Sequence, residues 1–290
     1  QEYSNNGWKV IGVDRPTSHN FFAAIKHYEF VPMDLPDPMF IKVVETSQPD
    51  LLIHAAGLAS VPYSVANPLG DFIGSVQLYF FVLDAIRKAC PTCKAVLLSS
   101  AAVFGNPAAL PIDEECAKRP ISPYGYHKML CEEINAEFNH LFGVKVCSAR
   151  IFSAYGPGLR KQVFWDICNK VISDPMVQLD GSGAESRDFI HVKDIAGAIY
   201  ILGESGAFNA EVYNIASGIE TSIRQLAENI ISAFGCEKEL RFTGIARSGD
   251  PNRWRANVQK IEQLGFSLKI SLAVGIKDYV TWYENEIKNK

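Results

Sequence analysis

A series of short, unbroken apolar runs separated by helical stretches constrains this chain more than any other feature. "WKVIGVD" (8–14), "PDLLIHAAG" (49–57), "KAVLLSS" (94–100) and "VKVCSARIF" (144–152) place apolar side chains at successive positions. A strand of that kind presents apolar groups to both faces of its sheet, so both faces must be covered. The segments between are long enough for helices, notably 68–89 and 123–141. Strand, helix, strand in this rhythm predicts βαβ units and therefore an α/β fold, a doubly wound parallel sheet with helices on both sides. With 290 residues, 48% of them hydrophobic, the chain can bury a sizeable core, as one large domain or as a main domain carrying a smaller one.

After Phe152 the texture changes. "SAYGPGLRK" and "DGSGAESRD" are Gly-rich connections around the helical stretch "VFWDICNKVI". "RDFIHVKDIAGAIYIL" and "VYNIAS" resume the earlier rhythm, followed by "SIRQLAENIISAFG", "ELRFTG" and a last amphipathic segment. This predicts a first domain over 1–152, to which 188–216 returns, and a smaller C-terminal lobe built mainly from 153–187 and 217–290.

Charge and cysteine usage exclude several classes. The 28 Lys and Arg against 32 Asp and Glu give a net charge of −4 without a basic block, so nucleic acid is not an expected partner. No apolar run is read as reaching the ~20 residues that span a bilayer, and "QEYSNNGWKV" lacks the parts of a secretory signal. The expectation is a cytoplasmic protein with no membrane partner. Seven scattered cysteines, an odd number, suit a reducing compartment. The one CxxC, Cys90 to Cys93, falls between a helix and a strand with no second pair, which predicts structural thiols and no metal site. "VQLYFFVLDAI", apolar on nearly every helical face, belongs to a core or an interface.

Open parallel sheets bind ligands beyond the carboxyl ends of their strands, so the candidate chemistry lies at the strand ends. Asp14 ends the first run; a carboxylate there can accept hydrogen bonds from ribose hydroxyls, or simply serve as a turn or helix-capping residue. Arg15 beside it leaves a 2′-phosphate open. In "HAAG" (54–57) two small residues and a glycine either admit a flat ligand close to the backbone or make a tight turn, and His54 before them suits the core better than catalysis. Ser99 and Ser100 end "KAVLLSS". In "SPYGYHKM" (122–129), Ser122 and Pro123 are a helix start, with a capping hydroxyl and a proline in the first turn. Tyr124 and Lys128, four apart, share a helical face that Tyr126 and His127 do not. An ammonium beside a phenol favours phenolate, bringing it from ~10 toward a working pH. With a strand-end serine, such a pair is an acid/base for a sugar or alcohol hydroxyl during hydride transfer; an isolated YxxxK also arises as a surface pair.

In order and spacing, "VIGVD", "MDL" (33–35), "PDLLIHAAGLASV", "SSAAVFG", "SPYGYHK", "ARIFSAYGPG", "GSGAESRDFIHVKDIAGAI", "VYNIASG" and "GDPNRWRANVQKIEQLGF" resemble the extended short-chain dehydrogenase/reductase family, in particular its NAD-dependent sugar-nucleotide epimerases and dehydratases. The resemblance implies a Rossmann-type sheet with a smaller substrate lobe. It makes Tyr124 the acid/base, Lys128 its tuner and a ligand of the nicotinamide ribose, and Ser100 the hydroxyl that bonds the reacting oxygen. NAD would be held by Asp14 and Arg15 at the adenosine ribose, Asp34 and Leu35 at the adenine, and Ala55, Ala56, Gly57, Ser75, Ser99 and Phe152 along its path. The nucleotide sugar would meet Ser100, Ser153, Gln162, Val163, Gln178, Asp180, Arg187, Arg247 and Asp250, the two arginines at its diphosphate. A homodimer formed by two long helices from each subunit is expected.

The departures from the family carry information. Family members that eliminate water or carbon dioxide follow the strand-end hydroxyl with acidic residues, and Ala101 and Ala102 stand there instead. Phe104 replaces a common tyrosine, Ser75 and Ser153 common asparagines, and Asp180 an aromatic that stacks on the base. The family also opens with a strand and a Gly-rich turn that cradles the cofactor pyrophosphate. Gly7 already matches the position just before the family's second strand, so that strand and turn are expected to lie outside these residues. Losing the strand would leave two sheet edges with unpaired backbone groups, at ~1–3 kcal/mol each where buried. The resemblance thus implies an isomerase of carbohydrate biosynthesis, an epimerase inverting C4 of a nucleotide-diphosphate hexose through a 4-keto sugar. The alternatives are a reductase of such 4-keto sugars, or a relative that keeps the fold without catalysis.

Overall fold

The apolar runs become strands close to their predicted limits. The computed structural model describes residues 1–16, 28–247 and 249–288. Its strands, in chain order, are β1 (Val10–Asp14), β2 (Tyr28–Pro32), β3 (Leu51–His54), β4 (Lys94–Ser100), β5 (Lys145–Ile151), β6 (Ser153–Tyr155), β7 (Met176–Leu179), β8 (Ser186–His191), β9 (Asn209–Ile215), β10 (Glu220–Ser222) and β11 (Glu239–Phe242). The chain divides into a first unit of Gln1–Val103, Ser122–Arg150 and Ile199–Tyr213 and a second of Phe104–Ile121, Ile151–Ala198 and Asn214–Lys290. Residues 104–121, 151–152, 188–198 and 214–216, which the sequence groups with the first domain, cluster with the second unit.

In the first unit β1 pairs with β2 in parallel, Val10 opposite Tyr28, while β3 pairs with β4 in parallel, Leu51 opposite Lys94. The larger sheet runs β3-β4-β5-β9, and among the described residues β1 and β2 form a sheet of their own. The helical run after Asn67 has three parts, Pro68–Phe72, a π-helical turn Ile73–Gln77, and Leu78–Ala89. Tyr79, Val82, Leu83 and Ile86 from this run meet Ala95 and Leu97 of β4 and Val146 of β5 in one core. Each large side chain buried there contributes ~1.5–3 kcal/mol. By length and composition alone, Pro68–Ala89 is long and apolar enough to cross a membrane, contrary to the sequence reading, but half of it is buried inside the chain. It is the core helix of this unit.

The helix Pro123–Phe142 begins as predicted. Ser122 accepts a hydrogen bond from Gly125 N, and Gly143 ends the helix at a φ of 66° that glycine adopts without strain. Its inward face sets polar groups beside the core residues Cys131 and Phe138. Lys128, Glu132 and Asn135 are buried; Asn135 accepts from the Tyr79 hydroxyl and donates to Ser148 Oγ on β5. Cys90 and Cys93 are buried free thiols, and burial pushes Cys93 up to about 12, which suits the structural role read from the sequence.

The second unit has its own core. β8 lies between β6, parallel, and β10, antiparallel, while β7 and β11 form a separate parallel pair. Helices Gln162–Ser173, Ile223–Ala233 and Leu272–Lys288 supply Phe164, Ile230 and Tyr279 to a cluster that also holds Tyr155 and Phe189. The Tyr155 and Phe164 rings stack with centroids 4.5 Å apart. Buried Asp188 on β8 accepts from Ser217 N, Ser217 Oγ, Gly218 N and Ala256 N, tying two other segments to one carboxylate.

His54 is buried as expected, its ring 4.7 Å from that of Tyr79. Burial, with Lys128 nearby, pushes its imidazole down to about 3. The unfolded chain takes up this proton near pH 6.5 and the folded chain does not. Stability from the neutral ring is therefore complete above about 6.5 and declines as the pH falls toward 3, by ~1.4 kcal/mol per pH unit. Denaturant unfolding of the wild type and His54→Asn at pH 7 and pH 5 is expected to show a shallower loss in the variant; parallel losses would remove His54 as the cause.

Candidate active site

Lys128 is the fixed point of the predicted catalytic group. It sits one helical turn after Tyr124, is 8% exposed, and donates from Nζ to the Leu98 carbonyl of β4 at 2.8 Å. Its ammonium is 6.0 Å from the Tyr124 ring centroid. A buried lysine has lost water on most sides, so a carbonyl acceptor and a phenol at this range are its principal surroundings. The structure therefore brings Tyr124 and Lys128 to one face of the helix, against the strand that ends in Ser100. Tyr126 is 51% exposed and His127 is engaged with buried Asp71, so neither belongs to that face.

Short bonds from neighbouring elements hold the pair in place. Tyr124 N donates to Ser64 Oγ at 3.0 Å, joining the start of this helix to the helix Val61–Ala66 that follows "HAAG". Ser100, half-buried at the end of β4, accepts from Ala102 N at 3.2 Å. That bond uses a lone pair and leaves the hydroxyl proton to be donated elsewhere. Ser99 is turned inward and donates to Glu132 Oε1 at 2.6 Å, making it a support of the strand end.

Of the residues expected to hold a dinucleotide, all but Phe152 lie in the same unit. Asp14 is exposed at the end of β1, with Arg15 exposed beside it and its N–H on Asp14 Oδ1 at 2.7 Å. Asp34 is exposed and Leu35 packs on the core edge. Ala55, Ala56 and Gly57 are exposed after β3. Gly57 has a φ of 123°, and a Cβ there would come within 3.3 Å of Gly74 O, so the site requires glycine. Ser75, on the π-helical turn, is the clearest sign of a ligand. Its Oγ is buried without a partner among the described residues, and it faces the Gly57 backbone. A buried hydroxyl left unpaired costs ~1–3 kcal/mol, and π turns recur at functional sites.

In the second unit Phe152 is buried, its ring 6.3 Å from that of Phe104 and 5.9 Å from that of Trp254. Ser153 is half-buried on β6; Gln162 is exposed and Val163 half-buried at the start of their helix; Gln178 is exposed on β7. The two arginines differ in their surroundings. Arg187 donates to Ser186 O at 2.9 Å and lies 5.7 Å from the Trp254 ring centroid. Burial pushes its guanidinium down, against the opposing influence of Asp250 and Glu185. Among the described residues no carboxylate comes within ion-pair distance of it, so it is available to an anion. Arg247 is exposed and already engaged: its Nε donates to Asp180 at 2.6 Å, which holds that carboxyl below the usual range. Asp250 turns back so that its N–H meets Arg247 O at 3.3 Å.

Sequence reasoning missed Ser64, Glu132 and Arg150. The signal for Glu132 was present, since 124, 128 and 132 recur every four residues on one helical face. Ser64 and Arg150 have no local signature, because each acts through a partner distant in the chain.

Comparison with known proteins identifies the family and the fold. The NAD dependent epimerase/dehydratase family matches residues 1–216. A putative UDP-glucose 4-epimerase of Methanocaldococcus jannaschii is 30% identical over 289 residues, covering 97% of this chain and 92% of that one. The UDP-N-acetylglucosamine 4-epimerase of Methanobrevibacter ruminantium, solved with UDP-N-acetylmuramic acid, superposes with a TM-score of 0.87 at 25% identity, covering 96% and 91% of the two chains. The UDP-glucuronic acid 4-epimerase of Bacillus cereus, solved with UDP-glucuronic acid and NAD, has the same fold, with a TM-score of 0.89 at 20% identity, covering 97% and 93%.

The bond between Ser64 and the Tyr124 amide is expected to matter for folding. Ser64→Ala leaves a half-buried N–H without its acceptor and should lower the unfolding free energy by ~1–2 kcal/mol. Denaturant titration measures this directly, and an unchanged midpoint would mean that the bond contributes nothing.

Proposed function

This chain belongs to the NAD-dependent epimerase/dehydratase family, and within it we propose an epimerase that inverts C4 of a nucleotide-diphosphate hexose through a 4-keto sugar. The observation that carries the reading is the inward pair of Tyr124 and Lys128 beside a strand end followed by Ala101 and Ala102. Two alanines offer no carboxyl to move a proton at a neighbouring carbon, so elimination has no acid or base at those positions. A single proton acceptor at the sugar hydroxyl is sufficient for epimerisation.

NAD, when bound, supplies a reversible hydride acceptor and returns the same hydride to either face of the ketone. The residues manage the proton. Tyr124 Oη takes it from the C4 hydroxyl and gives it back after the sugar has turned. Lys128 stabilises the phenolate that accepts it, and Ser100 donates to the reacting oxygen. Arg187, partly buried and free of a carboxylate partner, is the side chain best prepared for the substrate diphosphate. Ser75 Oγ and the exposed backbone of Ala55, Ala56 and Gly57 would line the cofactor, with Asp14 at its ribose. The names of the relatives support the C4 position, and the seven free cysteines support a cytoplasmic location.

A homodimer is part of the proposal. Leu69, Phe72, Ile73 and Phe80 on one helical run and Tyr126, Leu130, Leu141 and Phe142 on the other are each at least 39% exposed. Contacts between the two helices put their apolar groups on adjoining surfaces, with Phe80 5.1 Å from Phe138. A second copy presenting the same surface would bury both.

NAD-loaded protein given UDP-glucose, UDP-glucuronic acid or UDP-N-acetylglucosamine is expected to interconvert at least one with its C4 epimer, without net change at the reduced-nicotinamide absorbance. Tyr124→Phe should retain NAD and lose activity by about a thousandfold or more. Stoichiometric consumption of NADH or NADPH with a 4-keto sugar would instead identify a reductase, and absence of both reactions a non-catalytic relative. For the dimer, light scattering should give twice the chain mass, falling to one chain mass in Leu130→Asp; a monomeric wild type would refute it.

A further inference from the structure

Glu132 and Arg150 form a buried ion pair that the proposed reaction does not use. Glu132 follows Lys128 by one helical turn and Arg150 is near the end of β5; both side chains are 3% exposed. Arg150 Nε and Nη2 donate to the two carboxylate oxygens of Glu132 at 2.9 and 2.8 Å, the forked geometry that suits both groups. Ser99 Oγ donates to the same carboxylate at 2.6 Å. Ser99 lies between Leu98, whose carbonyl accepts from Lys128, and Ser100. A buried ion pair is weak evidence of stability, because desolvation offsets most of the attraction.

We propose that Arg150 is a positioning residue: it cancels the charge of Glu132 so that the Lys128 ammonium stays at Leu98 O beside Tyr124, while Ser99 ties the same carboxylate to the strand end. This rests on the reading of Tyr124 as the acid/base. Without Arg150, the negative charge of Glu132 would stand about 6 Å along the helix axis from Lys128 and about 12 Å from Tyr124 with no guanidinium against it. It would draw the ammonium away from the phenol, and its own charge would oppose phenolate. Without the carboxylate, the positive charge of the guanidinium would favour phenolate. The other titratable groups around Lys128 do not take over this role. His54 from β3 is kept neutral by burial, and burial pushes the Cys131 thiol on the same helix up to about 12. Asp71, from the helix Pro68–Phe72, is engaged by His127.

The two removals therefore act with opposite sign, which a purely structural pair has no reason to do. With NAD-loaded protein, the acid limb of kcat against pH is expected to move up by about one unit in Arg150→Met and down by a similar amount in Glu132→Gln, as for a charge about 12 Å away at an effective dielectric of about 20. The double variant, and Arg150→Lys, which keeps the charge, should both stay within about 0.3 unit of wild type, with the sugar-nucleotide KM changed less than about threefold. Equal-sign shifts, or losses of kcat with an unmoved limb, would overturn the proposal. If Arg150→Met does not fold, Glu132→Gln and Arg150→Lys decide alone, and an unmoved limb in Glu132→Gln rejects it. If no chain epimerises any sugar, the functional reading fails separately. The ultraviolet titration of tyrosinate, taken as the difference between each protein and its Tyr124→Phe counterpart, still reads the same shifts.

Discussion

The bond from Lys128 to the Leu98 carbonyl is the contact on which the candidate site depends. An ammonium that is almost fully buried has given up much of its hydration, and one short bond to a strand carbonyl is a partial replacement. The remaining donors of that nitrogen are then directed by geometry, since the helix fixes the stem and β4 fixes the first acceptor. Capping by Ser122 fixes the start of this helix, the bonds to Ser64 and Tyr79 hold it against two neighbouring helices, and the Asn135 bond to Ser148 holds it against β5. A small displacement of the helix along its axis would break several of these at once. The polar seam thus sets the position of the phenol more sharply than apolar contacts could, because hydrogen bonds are directional and hydrophobic contacts are not.

The division into two units also divides the chemistry. Everything that would move a proton, Ser100, Tyr124 and Lys128, is in the first unit, while the arginines that would bind an anion are in the second. Arg187 and Arg247 read alike in sequence, yet only Arg187 combines burial with freedom from a carboxylate. Arg247 must exchange Asp180 for any substrate oxygen, so its net contribution to binding is the difference between two ion pairs at an exposed site.

Much of this was legible in the sequence for physical reasons. Strands buried on both faces are nearly continuous apolar runs, and "KAVLLSS" coincides with β4 residue for residue. The helix start at Ser122 and Pro123 follows from capping chemistry, and the shared face of Tyr124 and Lys128 from helical spacing. β2, β6, β7 and β10 were not read, each being only three to five residues long and lacking a continuous apolar run that separates it from a turn. Nor could spacing reveal that Arg247 would be engaged by Asp180, or that residues 104–121 would cluster with the second unit, since both depend on contacts across the chain. The sequence did hint at Ser75, through the substitution of a residue that relatives use near the cofactor. Its unpartnered buried hydroxyl became visible only in the fold.

The helix Pro123–Phe142 buries polar groups among apolar ones. Its inward side carries Lys128, Glu132 and Asn135 beside Cys131 and Phe138, and its exposed side carries Tyr126, Leu130 and Leu141 beside Glu133, Glu137 and His140. Two features oppose a rotation that would expose the buried polar groups. The inward charges are paired with groups on β4 and β5 that would be left unsatisfied by it, a cost of ~1–3 kcal/mol for each stranded group. The outward apolar stripe, in the proposed dimer, is covered by a second copy. The internal polar lock and the external apolar contact are therefore consequences of one arrangement: the buried polar groups hold the catalytic face against β4 and β5, and the surface opposite it is left to association.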